Sequence, residues 1–159
     1  MFARWARAVE TNKHAYAKCV LYVPNFVNIE RIKPFPKNTE LVDKLKLNSK
    51  IVFGYAGNIG SAQGLKIITD AAIRTINNSN IVYIIMGDGV EKKLIEDEII
   101  KNKLSNVILL SPVQREEVVK YISLFDAMII PLVKRSLFKI TIPSKLKESM
   151  AAGIPAIVC

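Results

Sequence analysis

The chain has 159 residues, half of them apolar, with a formal net charge of +9 at neutral pH. That length suits one domain with a proper core, and no apolar run approaches the roughly 18 residues a membrane helix needs. With two cysteines and a single histidine, His14, the composition excludes a disulfide framework and a histidine-based metal cluster within the chain, and points to a reducing compartment. The basic residues are spread along the sequence and are not clustered with aromatics, which argues against nucleic-acid binding as the main role. A basic balance also suits an anionic small molecule or an anionic lipid surface.

Residues 3–18 read as a helix rich in alanine and other good helix formers. The basic start resembles a transit peptide, but it lacks serine enrichment and runs directly into structure. "CVLYVPN" (19–25) reads as a strand stopped by Pro24-Asn25. Residues 26–39, with Pro34 and Pro36, read as a linker. "ELVDKLKLN" (40–48) reads as a short helix with Leu41 and Leu45 on one face. From Lys50 the pattern becomes regular. "IVFGYAG" (51–57) is a strand ending in glycine, and residues 64–77 place Leu65, Ile68, Ala72 and Ile76 at helical spacing. "IVYIIMGDG" (81–89) is strand then turn, and residues 90–103 form a charged amphipathic helix. "NVILLSP" (106–112) is a strand, and residues 115–125 a helix with Val118, Ile122 and Phe125 inward. "AMIIPL" (127–132) is a strand, "PSKLKESMAA" (143–152) a helix, and "PAIVC" (155–159) a final strand.

Five strands thus alternate with four helices. The strands are continuously apolar, as in a parallel sheet covered on both faces, and right-handed crossovers then give a doubly wound, Rossmann-like α/β domain of five to six strands. The organisation expected is a tail of a preceding domain over 1–25, a linker over 26–49, and a main domain over 50–159 that is cut short at its C-terminal end.

Ligands of such a sheet sit beyond the carboxyl ends of the strands. "GNIGSAQG" (57–64) follows a strand, opens a helix and holds three glycines. It is either a tight turn stabilised by Asn58 or a cradle for phosphate. Its spacing is neither the dinucleotide fingerprint nor the P-loop. "GDG" (87–89) alone is a common turn. In "TIPSKLKE" (141–148), Pro143 suits the first helical position. Lys145 sits at a helix N-terminus, where a cation is unfavourable unless an anion lies there. Glu148 is one turn further on. The pair is either a solvated i,i+3 ion pair or a lysine on phosphate beside a glutamate accepting sugar hydroxyls. Gly153 is the helix C-cap.

Several of these pieces together resemble glycosyltransferase family 4. "VPNFVNIERIKP" (23–34) resembles the junction between its two domains, and "FGYAGNIGSAQGLKIITDAA" (53–72) its glycine loop and first helix. "GDG" follows the second strand as in that family. "DAMIIPL" (126–132) resembles its fourth strand, and "IPSKLKESMAAGIPAIV" (142–158) its signature helix and last strand. The variants look most like the bacterial cell-surface polysaccharide branch, including amino-sugar transferases of O-antigen and capsule assembly.

The resemblance implies the GT-B fold, with this chain as the C-terminal, donor-binding domain. It implies a retaining transfer without metal or cofactor from a nucleoside-diphosphate sugar, UDP-linked, to a polysaccharide or lipid-linked acceptor. The enzyme would act in the cytoplasm at the inner face of the plasma membrane, with peripheral membrane contact. The absent N-terminal domain would be its intramolecular partner, so the chain alone should not turn over. Glu148 matches the glutamate on the nucleotide ribose. Gly57, Asn58, Ile59, Gly60 and Gln63 match the loop at the diphosphate, with Gly87, Asp88 and Gly89 beside it. Pro112 and Val113 match the segment at the base. Thr141, Ile142, Pro143, Ser144 and Lys145 match the loop and helix start at the phosphates and sugar.

Two departures stand out. The family pairs two glutamates with seven residues between them, and here the first falls on Ile140. Its glycine loop often carries an arginine and a lysine where this chain has Asn58 and Gln63. Lys145, helped by Lys139 or Arg135, is therefore expected to stabilise the leaving diphosphate as the catalytic cation. Three rival readings are a sugar-nucleotide 2-epimerase of the same fold, a flavodoxin-like binding or signalling module, and a basic nucleic-acid-binding module. The epimerase reading needs cleft acids and histidines, and the signalling reading needs acids at the end of the first strand. The third predicts salt-sensitive oligonucleotide binding.

Overall fold

The computed structural model describes residues 26–133 and 142–159. The expected helix over 3–18 and strand over 19–25 lie outside the described residues, as do Arg135, Lys139, Ile140 and Thr141.

Helix α1 (Thr39–Lys44) precedes strand β1 (Ile51–Ala56). Then come α2 (Lys66–Thr75), β2 (Ile81–Met86), α3 (Lys92–Lys101) and β3 (Val107–Leu110). The chain continues through α4 (Val118–Ile122) and β4 (Ala127–Ile130), and then α5 (Ser144–Ala151) and β5 (Ala156–Val158). All strand pairs are parallel, in the order β3-β2-β1-β4-β5. This is the expected doubly wound sheet. It is not the 2-1-3-4-5 order of a flavodoxin-like module.

Strand side chains alternate between two cores, as the pleat requires. Val52, Ile84, Met128 and Ile130 enter one core, beneath Leu41 of α1, Ile122 of α4 and Leu146 of α5. Tyr55, Tyr83, Ile85 and Ile129 enter the other, beneath Ile68 and Ala72 of α2 and Ile95 of α3. Both faces are covered, so the strands read as unbroken apolar runs. Burying each of these isoleucines contributes roughly 1.5–3 kcal/mol. Gly54 makes room for the Phe125 ring, which a Cβ there would meet at 2.2 Å.

The helices are shorter than the sequence pattern suggests. The helix expected over 115–125 is regular only from Val118 to Ile122. Arg115, Glu116 and Glu117 are exposed, so no apolar side chain holds that turn against the sheet. Helix α1 starts where the Asn38 side chain accepts the Leu41 N–H at 2.9 Å. It ends before Lys46, which adopts a left-handed φ of 57°. The segment read as a linker lies on the domain. Ile32 is buried in the first core, and Lys37 pairs with Asp126 at 2.7 Å. The other oxygen of that carboxylate accepts the Val52 N–H at 2.8 Å, fixing the start of β1. Among the described residues no helix is long and apolar enough to cross a membrane.

Candidate functional site

Strands β1 and β4 are neighbours, but the helices that follow them lie on opposite faces of the sheet. A crevice therefore opens at their carboxyl ends. It is a cavity of about 270 Å³, lined by Gly57, Gly87, Pro112, Val113, Ser144, Lys145 and Glu148, with Ala56, Met86, Val118 and Ile122 at its floor and sides.

One wall is the glycine loop. The chain leaves β1 at Gly57, whose φ is +146°, and its N–H donates to the Met86 carbonyl at 2.9 Å. The "GDG" turn packs directly on this loop. Gly87 has φ +153°, and a Cβ there would lie 1.8 Å from the Gly57 carbonyl oxygen. The Ile59 N–H donates to the Asp88 carbonyl at 2.7 Å, and the Glu91 N–H donates to the Ile59 carbonyl at 3.0 Å. The Asp88 carboxylate accepts the N–H of Gly89 at 2.9 Å. Tyr55, within β1, donates its hydroxyl to the Asn58 carbonyl at 2.6 Å. Burial pushes the Tyr55 phenol up to about 12, so it remains a neutral donor.

The Asn58 and Gln63 amides converge over Gly60. A Cβ on Gly60 would lie 2.7 Å from Asn58 Nδ2 and 2.9 Å from Gln63 Oε1. That Gln63 oxygen is buried and has no hydrogen-bond partner among the described residues.

The other wall is the start of α5. Pro143 is the N-cap, with extended backbone (φ −61°, ψ 138°), and Ser144 is the first helical residue. The expected place of proline at the first helical position is thus shifted by one. The cause is that Pro143 keeps an extended ψ while its carbonyl accepts the Leu146 N–H at 3.1 Å. Among the described residues no side chain caps this end, and the first amides of a helix have no intrahelical partner. Lys145 reaches across the cleft, so a Cβ on Gly57 would lie 2.5 Å from Lys145 Cε and 2.6 Å from Nζ. Its ammonium stands 5.4 Å from the centroid of the Tyr55 ring. Among the described residues Lys145 and Glu148 form no ion pair with each other or with any other side chain. The solvated-pair reading of these two residues therefore fails, and both charges face the cavity.

The far end of α5 is closed by a complete C-terminal motif. Gly153 has φ +70°, the Gly153 N–H donates to the Met150 carbonyl at 3.1 Å, and the Ile154 N–H to the Ser149 carbonyl at 3.0 Å. The buried Ser149 hydroxyl donates to the Ile154 carbonyl at 2.5 Å.

Of the residues singled out from sequence, the cavity brings together Gly57, Gly87, Pro112, Val113, Ser144, Lys145 and Glu148. Ile59 does not belong with them. Its side chain is 0% exposed in the second core, and both its N–H and its carbonyl are held by the neighbouring turn. Asn58, Gly60, Gln63, Asp88 and Gly89 shape the loop behind the cavity, and Ile142 and Pro143 lead into its far wall. Tyr55 was hidden from sequence reasoning, because a strand residue two places before the loop reads only as core. Among the described residues no cluster of three or more His, Cys, Asp or Glu side chains could hold a metal ion.

The family model "Glycosyl transferases group 1" matches residues 50–159. WcaI of Escherichia coli (strain K12), named for glycosyl transfer in colanic acid biosynthesis, is 28% identical over 156 residues, which cover 96% of this chain and 37% of that protein. The chain thus spans little more than a third of this relative. The C-terminal domain of LpcC from Francisella tularensis superposes with a TM-score of 0.64 at 18% identity, covering 84% of this chain and 70% of that one. Anabaena Alr3699/HepE, solved with UDP-glucose, superposes with a TM-score of 0.69 at 17% identity, covering 83% of this chain and 36% of that one. At such identities these superpositions show the fold alone. The family match, which spans the whole crevice-bearing domain, decides the assignment: this chain belongs to the glycosyl transferases group 1 family.

Proposed function

We propose that the chain is the donor-binding half of a retaining glycosyltransferase that takes a UDP-linked sugar. The observation that carries this reading is the pairing of unneutralised charges on α5. Lys145 reaches over Gly57 at the helix start, and Glu148 stands one turn further along the same cavity. Open helical amides and an unpaired ammonium suit a diphosphate. A carboxylate with no partner suits the two hydroxyls of a ribose. Pro112 and Val113 offer an apolar shelf for the base. That Alr3699/HepE was solved with UDP-glucose supports the choice of nucleotide.

In the reaction, the bond from the anomeric carbon to the diphosphate breaks, and its electron pair leaves on the phosphate oxygen. A new bond forms to the acceptor oxygen, whose proton is released to the diphosphate or to water. Lys145 would oppose the charge that grows on the leaving group, and this reading needs no metal or cofactor for that task. The acceptor would be a cell-envelope polysaccharide or lipid-linked sugar, the former in keeping with the colanic acid biosynthesis in the WcaI name, and would bind mainly outside this domain. The +9 charge would favour the inner face of the plasma membrane. The chain alone would bind nucleotide and transfer no sugar.

A thermal-shift panel of UDP, GDP, ADP and CMP, with and without chelator, tests this. Stabilisation by UDP that is indifferent to chelator is expected, since a ligand that binds only the folded state raises Tm. A flat response to all four nucleotides would sink the reading.

A further inference from the structure

We propose that Tyr55 is a positioning residue for the diphosphate site, seating the Lys145 ammonium with its ring and pinning the glycine loop with its hydroxyl. The proposal rests on the nucleotide reading above.

A lysine ammonium on a four-carbon stem has many rotamers, and ordering them opposes binding. No carboxylate fixes Lys145 among the described residues. Two features of the glycine-loop wall do. The absent side chain of Gly57 leaves the channel in which Lys145 Cε and Nζ lie. Below that channel is the Tyr55 ring, 5.4 Å from the ammonium and itself 1% exposed. A buried ring attracts a cation more strongly than an exposed one, because less water competes for the charge. The same residue's hydroxyl holds the Asn58 carbonyl at 2.6 Å, which fixes the turn immediately after Gly57. One side chain thereby sets both the position of the cation and the backbone across from it. A leucine at 55 would fill the core and do neither.

The two functions separate by substitution, with UDP affinity read by calorimetry. Tyr55→Leu should weaken UDP binding roughly three- to thirtyfold, the range for a partly desolvated cation–ring contact. Tyr55→Phe keeps the ring and should lose less. In a Lys145→Ala background, Tyr55→Leu should cost clearly less, because the ring's part of its effect runs through the lysine and only the hydroxyl's part, which Tyr55→Phe reports alone, remains. Equal losses in both backgrounds would mean a purely structural role and overturn the proposal. Because Tyr55→Leu risks misfolding, a second measurement uses the unsubstituted chain and Tyr55→Phe alone. The Lys145 ε-protons should resonate upfield of the exposed lysines in both, shifted by the ring. Resonances at the ordinary lysine position would overturn the seating. Absence of UDP binding by the unsubstituted chain, with the ring shift present, would overturn the nucleotide reading and the proposal that rests on it. UDP binding without coupling would overturn the role of Tyr55 alone.

Discussion

The glycine-loop wall of the cleft is tied by backbone bonds at Gly57, Ile59 and Glu91 and by the Tyr55 hydroxyl. The α5 wall, a few ångströms away, presents a helix start, an ammonium and a carboxylate that have no side-chain cap and no ion-pair partners among the described residues. The first wall resists deformation, and the second turns its polar groups to the cavity. The difference teaches where affinity and stability separate. Changes to the loop should cost folding free energy, whereas changes to the cavity-facing charges of α5 should cost binding and leave folding nearly untouched.

The largest effect expected is from Gly87→Ala. Its Cβ would meet the Gly57 carbonyl at 1.8 Å from a backbone at φ +153°. Overpacking and backbone strain together should lower stability by about 3 kcal/mol or more, read as a lower urea midpoint. A midpoint unchanged from the parent would mean that the two loops are not interlocked.

The second test is pH. Burial raises the Tyr55 phenol from 10.0 to about 12. The folded state therefore keeps its proton when the unfolded state has lost one. The stability this gives is whole below pH 10 and falls as the pH rises towards 12, by about 2–3 kcal/mol across that window. The lysines also titrate there, so the informative quantity is the difference from Tyr55→Phe, which should lack this part of the slope. Parallel curves for the two proteins would refute it.

Lys145→Ala sharpens the comparison from the other side. It should weaken UDP binding by about 1.5–3 kcal/mol, as for other charged hydrogen bonds, and shift stability by less than about 0.5 kcal/mol. A large fall in stability with unchanged affinity would reverse the roles assigned to the two walls.

Much of this was legible in the sequence, for identifiable reasons. A strand buried on both faces must be apolar throughout, so "IVYIIM" and "AMII" marked themselves and the parallel sheet followed. The start of α5 was legible because a cation at a helix N-terminus conflicts with the dipole, and that conflict pointed to a ligand. Three things were not legible. The role of Ile59 depends on which way the loop turns, and that is decided by hydrogen bonds to Asp88 and Glu91 on the neighbouring strand's turn. The burial of Ile32 depends on where the proline-rich segment folds back, which composition alone cannot give. Tyr55 has the same local pattern as any core aromatic, and only its neighbours across the sheet's end distinguish it.

Helix α5 has one open end and one locked end. At the locked end, a Cβ on Gly153 would lie 3.2 Å from the Pro34 ring, so the helix stops against the segment that precedes α1. Eight residues make a rod of about 12 Å. The rod spans the distance between the crevice and the Ile32–Lys37 segment. A displacement of Ser144 and Lys145 along the axis would therefore carry towards Pro34, so the cleft and the segment before α1 share one rigid element.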